Sequence, residues 1–288
     1  MLSLDDILST SLYLDRHVQV VKLSNGLSHQ CFKVTKQGVN VFLKVFLKKT
    51  DISAEQWQLQ IDVQTQAANI GLGPKIIESS YVKGYLITEF IDGKSLRLTD
   101  LSLPHKLSHA AKVIYQCQQL KSSMSVFQPQ SIISHLLTNA KLSDEKERRI
   151  KHLSDKLLST LSIDHNRLVL SHGDVNFDNI MVYQQLPWLI DWEYCVLAEP
   201  EFDLGMCLAI NNIDHHWHQS LISHFNSHSA EIQHTAYSAT PTKVTRYYEI
   251  SIIINALWFY SQKHQVRKTS LGNLHQQSIY ALDELLSK

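Results

Sequence analysis

His172-Gly173-Asp174-Val175-Asn176-Phe177-Asp178-Asn179, followed by Leu189-Ile190-Asp191-Trp192-Glu193, spaces two carboxylates and an amide so that a loop, a hairpin and a second loop can bring them together. Arg167-Leu168-Val169-Leu170 reads as a strand entering the first loop, and Ile180-Met181-Val182-Tyr183 with Trp188-Leu189-Ile190 as a hairpin around Gln184-Gln185-Leu186-Pro187. Asn179 and Asp191 then stand at adjacent ends of that hairpin, with Asp174 in the loop before it. Either half alone is explained by Asp and Asn as turn formers; both halves in register point to chemistry. Hard Mg²⁺ takes one or two carboxylates plus phosphate oxygens and water, so Asn179 and Asp191 suffice as its protein ligands. Asp174 is then the group that accepts the proton of an attacking hydroxyl, which is the division of labour that phosphoryl transfer from ATP requires.

These residues resemble the aminoglycoside phosphotransferase and choline kinase superfamily, with its H-x-D-x-x-x-x-N catalytic loop and its I-D-[WF]-E segment. Ala198-Glu199-Pro200-Glu201-Phe202-Asp203-Leu204-Gly205 is similar to the family's D-P-x-x-D-L-A stretch and implies a buried Asp203 bracing the catalytic loop. The resemblance implies an α+β, two-lobed protein-kinase-like fold: a small antiparallel-sheet N-terminal lobe over residues 1–90 and a mostly helical C-terminal lobe over 91–288. Asp191-Trp192-Glu193-Tyr194 and the late Trp258-Phe259 look most like the bacterial thiamine kinases, although choline kinases share much of both. His172 is expected to pack and hydrogen-bond the loop, since the carboxylate two residues on is the one the reaction uses.

The N-terminal third bears on the same expectation. Val39-Asn40-Val41-Phe42-Leu43-Lys44-Val45-Phe46 is a run of strand formers interrupted by one long cation. A Lys on such a strand needs a partner, either nucleotide phosphates and a helix carboxylate or, as an edge-strand residue, solvent. Ser53 to Ile70 is helical in pattern and contains only Glu55 and Asp62 as acids. Counting back from Gly71-Leu72-Gly73-Pro74 puts the family's Lys-pairing acid at Asp62, with Glu55 a possible substitute. Leu23-Ser24-Asn25-Gly26-Leu27-Ser28-His29-Gln30 resembles the family's phosphate-covering G-G-[LI]-[ST]-N turn, which assigns Asn25, Gly26 and Ser28 to the nucleotide. His29 stands where the family has Asn. Asn-Gly is also a common hairpin turn in its own right. Tyr85 to Gly93 resembles the strand and hinge between the lobes, so adenine is expected against the backbone of Glu89, Phe90 and Ile91.

Composition fits a small-molecule enzyme. Lys plus Arg (27) balances Asp plus Glu (27), and no basic stripe with interleaved aromatics points to nucleic acid. The 288 residues suffice for two lobes around one cleft. The four cysteines, at 31, 117, 195 and 207, form no C-x-x-C pair, and the first residues lack a signal-peptide pattern, so reduced thiols in the cytoplasm are expected. No apolar run of spanning length occurs. Pro104 to Lys121, Ser143 to Leu161 and Lys243 to Gln262 carry apolar residues at helical spacing. His215-His216-Trp217-His218 and the His105/His109 pair lack the spacing of a zinc site, since adjacent helical positions diverge.

Gly173 replaces the Arg of the protein-kinase H-R-D, Trp192-Glu193 replaces Phe-Gly, and no A-P-E segment follows, which favours a constitutive kinase for a small alcohol. Tyr247, Tyr248, Trp258, Phe259 and Tyr260 are either helix-packing core or, with Glu193, a surface for a cationic acceptor. Glu193 and Trp258 are the candidate acceptor residues. Thiamine is the expected acceptor, with choline, ethanolamine or an aminoglycoside as alternatives, and a nucleotide-binding pseudokinase is the non-enzymatic one.

Overall fold

The computed structural model describes residues 4–15, 17–25, 29–46, 53–231, 238–262 and 272–287. Five antiparallel strands build the N-terminal sheet: β1 (Gln19–Asn25), β2 (His29–Lys36), β3 (Val39–Phe46), β4 (Ile76–Ser80) and β5 (Tyr85–Glu89), in the order β1-β2-β3-β5-β4. The β2–β3 turn is tight because Gln37 and Gly38 both take positive φ (50° and 82°), the geometry that matches strand twist. Val34, Val41, Leu43, Val45, Tyr85 and Ile87 form the buried face of this sheet.

Two helices flank the sheet. Helix α1 (Leu4–Thr10), unmarked in the sequence reading, buries Ile7 and Leu8 against that face. Helix α2 (Ala54–Asn69) begins with a capping box: Ser53 Oγ accepts the Gln56 N–H at 3.1 Å, and Gln56 Oε1 accepts the Ser53 N–H at 2.9 Å. α2 turns its Trp57-Gln60-Ile61-Gln64 face toward the space beside β3.

Beyond Glu89 the chain crosses to β6 (Lys94–Ser95), which pairs with β8 (Ile180–Tyr183), itself paired with β9 (Leu186–Leu189). The β8–β9 turn is tighter than expected: Gln184 and Gln185 alone make it, both at positive φ (49° and 63°), and Pro187 lies within β9 opposite Val182. β9 is an edge strand, where a missing N–H is tolerated. The strand expected at 167–170 is displaced. A 3-10 turn covers His165–Arg167, because Asp164 accepts the Asn166 N–H, and β7 follows at Val169–Ser171, paired with β10 (Val196–Ala198).

The remaining helices are α3 (Leu103–Gln118), α4 (Pro129–Ala140), α5 (Asp144–Ser159), α6 (Glu201–Ile210), α7 (His218–Glu231), α8 (Pro241–Ser261) and α9 (Gly272–Ser287). Helix α6 is buried on every side, from Glu201 to Leu208, as expected of a central helix. It lies so close to α8 that a Cβ on Gly205 would stand 2.6 Å from the Tyr248 nitrogen. Buried charge ties the same elements: Arg167 Nη2 pairs with Glu201 at 2.9 Å, the Tyr247 hydroxyl donates to Glu199 at 2.9 Å, and Lys243 pairs with Glu199. The four cysteines are buried free thiols. Among the described residues no helix is long and apolar enough to cross a membrane.

Glu78 fastens the N-terminal segment to β4. It accepts the Ser11 hydroxyl at 2.6 Å, the Leu12 and Tyr13 N–H groups at 3.1 and 3.0 Å, and the Tyr85 hydroxyl. Burial opposes its ionisation, but these four donors outweigh it and hold the carboxyl below its ordinary value of 4.5. A carboxyl depressed in the fold stabilises above its unfolded pKa and loses that contribution as pH falls. Glu78→Gln is therefore expected to cost about 1–3 kcal/mol near neutrality in thermal or urea unfolding. That deficit should shrink as the pH is lowered below 4.5.

Candidate active site

The loop after β7 is held from beneath by one carboxylate. Asp203, fully buried on α6, accepts the His172 N–H at 2.8 Å and the Gly173 N–H at 2.9 Å. Burial nevertheless pushes its pKa up to about 6. The His172 ring is also buried, its Nε2 lying 3.1 Å from the Ile190 carbonyl and its Nδ1 accepting the Asp174 N–H at 3.3 Å. This pattern is that of the neutral ring, in keeping with a pKa that burial lowers to about 4. His172 thus joins the loop to the strand end that carries Asp191, and its ring packs edge-on against Trp192.

Gly173 has φ +78°, and a Cβ there would meet the Tyr194 carbonyl oxygen at 2.3 Å. The position where protein kinases carry Arg therefore has neither the backbone conformation nor the room for a side chain.

Within the loop, Asn176 Oδ1 accepts the Asp178 and Asn179 N–H groups at 2.8 and 3.0 Å, an Asx turn that aims Asn179 back at Asp174. Asn179 Nδ2 donates to Asp174 Oδ2 at 2.8 Å, and Asn176 Nδ2 to Asp174 Oδ1 at 3.0 Å. Burial pushes the Asp174 carboxyl up to about 7, the charge of Asp191 adding to the effect and the two amides opposing it. The Ile190 N–H donates to the Asn179 carbonyl at 3.0 Å, which brings Asp191 to the same hairpin end. Asp191 itself sits in the left-handed region (φ 70°, ψ 66°), a strained setting for a residue with a side chain.

Lys44 meets this group from β3. Its side chain is 7% exposed, with Nζ 2.7 Å from Asp191 Oδ1 and 3.2 Å from Glu193 Oε2. Burial disfavours the ammonium, but the two carboxylates outweigh it and raise its pKa; in return Lys44 lowers that of Asp191. Glu193 is instead raised by burial and by the neighbouring Asp191. A cavity of about 490 Å³ runs from Glu89, Phe90 and Ile91 past Phe42, Leu86, Met181 and Ile190 to Lys44, Asn179 and Asp191.

Asp174, Asn179, Asp191 and Lys44 thus converge, and Glu89 to Ile91 form the far wall of the same cavity. The expected helix acid does not take part. Asp62 is exposed and accepts from Gln58 at 2.9 Å, and Glu55 is exposed on the same side of α2, so neither pairs with Lys44. The cavity face of α2 is one turn-phase away. Glu193, expected beside the acceptor, has its carboxylate on Lys44. Trp258 does not line the cavity; it lies beside the Tyr194 phenol. Asn25 ends β1, its backbone opposite Gln30, while Gly26 and Ser28 lie outside the described residues.

Two residues missed in the sequence brace the loop from the other side. Asn211 Oδ1 accepts the Phe177 N–H at 2.8 Å while its Nδ2 donates to the Val175 carbonyl at 3.1 Å. Arg97 donates to Asp178 at 2.6 Å and to Asn211 at 3.1 Å. Asn211 grips backbone groups and Arg97 two side chains distant along the chain, so neither leaves a sequence pattern.

Fold and site together define a protein-kinase-like phosphotransferase acting on an alcohol. The family model for choline/ethanolamine kinase matches residues 20–268, and the chain belongs to that family. Among solved structures it is similar to choline kinase LicA from Streptococcus pneumoniae, with a TM-score of 0.72 and 16% identity over 94% of each chain. A choline/ethanolamine kinase family protein from Mesorhizobium loti shares 16% identity at a TM-score of 0.72, over 98% of this chain and 93% of that one. Amicoumacin kinase hAmiN, in complex with AMP-PNP, Ca²⁺ and Ami, shares 14% identity at a TM-score of 0.71, covering 93% of this chain and 88% of that one. None of the curated proteins matches at a significant level.

Gly173→Ala tests the crowded turn. The left-handed backbone alone costs about 1–3 kcal/mol, before the overlap with Tyr194. The variant is expected to melt earlier than wild type and to lose most turnover, read by calorimetry and by ADP release.

Proposed function

We propose that this protein transfers the γ-phosphoryl group of ATP to the hydroxyl of a small cationic alcohol of the choline or ethanolamine class. The observation that carries the reading is the convergence of Asp174, Asn179 and Asp191 at one end of the β8–β9 ribbon, opposite Lys44. The family match supports choline or ethanolamine and gives no support to thiamine, the acceptor the sequence suggested.

The adenine end of the cavity is apolar, and strand pairing stops at Glu89, leaving the backbone of Phe90 and Ile91 for the base. Lys44 would then neutralise phosphate oxygens. The donor set at the other end suits Mg²⁺: Asn179 Oδ1 and Asp191 Oδ2 accept no hydrogen bond from the described residues, and both are hard oxygens. Bound there by Asn179 and Asp191, the ion would supply charge neutralisation for the transferring phosphate. Asp174 accepts the alcohol proton, and its near-neutral pKa suits a base working near pH 7. Asn176 and Asn179 fix its orientation.

Tyr194 supports a cationic acceptor. It is 47% exposed, and burial of its phenol together with the charges of Glu193, Asp174 and Asp191 raises its pKa. An aromatic face in a negative field attracts an ammonium group.

ADP release measured with choline, ethanolamine, thiamine and an aminoglycoside, each with and without Mg²⁺, tests the reading. Mg²⁺-dependent turnover of choline or ethanolamine is expected. Asp174→Asn should lower kcat by about 10²–10⁴ while leaving the circular dichroism spectrum unchanged. Tight ATP binding without turnover on any of the four alcohols would instead favour a nucleotide-binding module.

A further inference from the structure

Helix α2 presents two amides to the cavity, and only one of them is paired. Gln60 Nε2 donates to the Glu193 carbonyl at 3.0 Å. Gln64, one turn further along, is 6% exposed and lines the cavity, yet its side chain hydrogen-bonds to no described residue. A second unpaired group stands at the same end. Trp192 lines the cavity, and its indole Nε1 is buried with no hydrogen-bond partner among the described residues. Gly73 joins the two: a Cβ there would stand 3.5 Å from Trp192 Nε1 and 3.6 Å from the Cβ of Ala67, the next buried residue after Gln64 on α2. A buried N–H with nothing to bind is costly, which marks this end of the cavity as a place for a hydrogen-bonding group.

This recess lies directly behind the segment expected to hold adenine. The Glu89 N–H donates to the Lys75 carbonyl at 2.9 Å, and Lys75 is two residues from Gly73, at most about 7 Å of chain. Between the two ends stand Pro74 and the small side chain of Thr88, both lining the cavity. The Thr88 hydroxyl is turned to its own strand end, where it donates to the Glu89 carbonyl at 3.1 Å, so it does not meet the needs of the recess. A purine with its Watson–Crick edge on the Phe90 and Ile91 backbone directs its N7 acceptor into the cleft. We infer that Gln64 and Trp192 form a base-reading subsite for that inward edge. Gln64 Nε2 donates to N7 and its Oε1 accepts from the amino group, the bidentate pairing a carboxamide makes with adenine; the Trp192 N–H adds a second donor beside N7. The inference deepens the reading proposed above and rests on its placement of the nucleotide. It assigns to α2 a part in choosing the base, separate from the groups that handle phosphate and metal.

The test compares ADP with 7-deaza-ADP, in which a carbon replaces N7 and every other contact of the base is kept. Affinities are measured by calorimetric titration for the wild type and for Gln64→Leu, which preserves bulk and removes the amide. The wild type is expected to bind ADP about tenfold more tightly than 7-deaza-ADP, equivalent to about 1.4 kcal/mol. In Gln64→Leu that ratio should fall to about twofold, the remainder belonging to the Trp192 N–H, because ADP weakens while 7-deaza-ADP hardly changes. The KM for ATP should rise in the variant, with kcat at saturating ATP and KM for the alcohol unchanged. Gln64→Met, equally without a donor, replaces Gln64→Leu if the latter does not fold. Equal affinity of the wild type for the two nucleotides overturns the inference, as does an undiminished ratio in the variant. An equal loss for both nucleotides would also overturn it, since that is the mark of a residue that only packs. Wild-type protein that binds ADP but phosphorylates no alcohol would defeat the kinase reading and leave the comparison of the two nucleotides intact.

Discussion

A carboxylate sealed from water holds this molecule's chemistry in place. Asp203 lies inside α6, and its two oxygens accept the backbone N–H groups of His172 and Gly173. Leaving two such donors unpaired in the interior would cost about 1–3 kcal/mol each, so the loop has one conformation in which its backbone is satisfied. In that conformation His172 reaches the Ile190 carbonyl, the Asx turn at Asn176 folds Asn179 onto Asp174, and the hairpin end delivers Asp191. Burial raises the pKa of Asp203 itself to about 6, so the brace is strong in geometry and strained in charge.

The charges above that brace are balanced across the cleft. Lys44 arrives from the antiparallel sheet, whereas Asp191 and Glu193 come from the C-terminal half, so one buried ion pair links the two halves of the fold. Its members constrain each other: Lys44 depresses Asp191, Asp191 raises Glu193, and both carboxylates keep Lys44 charged. The triad is costly to break on the Lys44 side, because removing its half-buried carboxylates would strand a buried ammonium.

The sequence revealed the parts of this arrangement that are fixed by spacing along one segment. Asp174, Asn179 and Asp191 lie on a loop and a hairpin, and strand alternation places Lys44 on the cavity side of β3. What it hid depends on rotation and on backbone partners. Counting back from Gly71-Leu72-Gly73 points to Asp62, but each helical residue turns the side chain by about 100°, so a short error in phase moves an acid from cleft to solvent. The face that does look inward, Trp57-Gln60-Ile61-Gln64, carries no charge to mark it. Asn211 was invisible for a different reason, since it grips main-chain groups that any residue would offer, and Arg97 because its side-chain acceptors, Asp178 and Asn211, lie far from it along the chain. The β8–β9 turn was misplaced because Pro187 reads as a turn residue, while its lone missing N–H is harmless at a sheet edge.

The contact at Gly205 has a consequence for how acceptor choice can change. With no side chain between them, α6 and α8 are locked at van der Waals distance, and the ionic cluster of Arg167, Glu199, Glu201 and Lys243 pins their ends. One of these helices anchors the loop bearing Asp174, and the other carries Trp258 next to Tyr194. The pair therefore behaves as a single block, and the side chains α8 presents beside Tyr194 cannot be shifted as a group without dislodging the loop that carries Asp174. Retuning such an enzyme for another alcohol must proceed by exchanging individual side chains there, with the scaffold behind them left untouched.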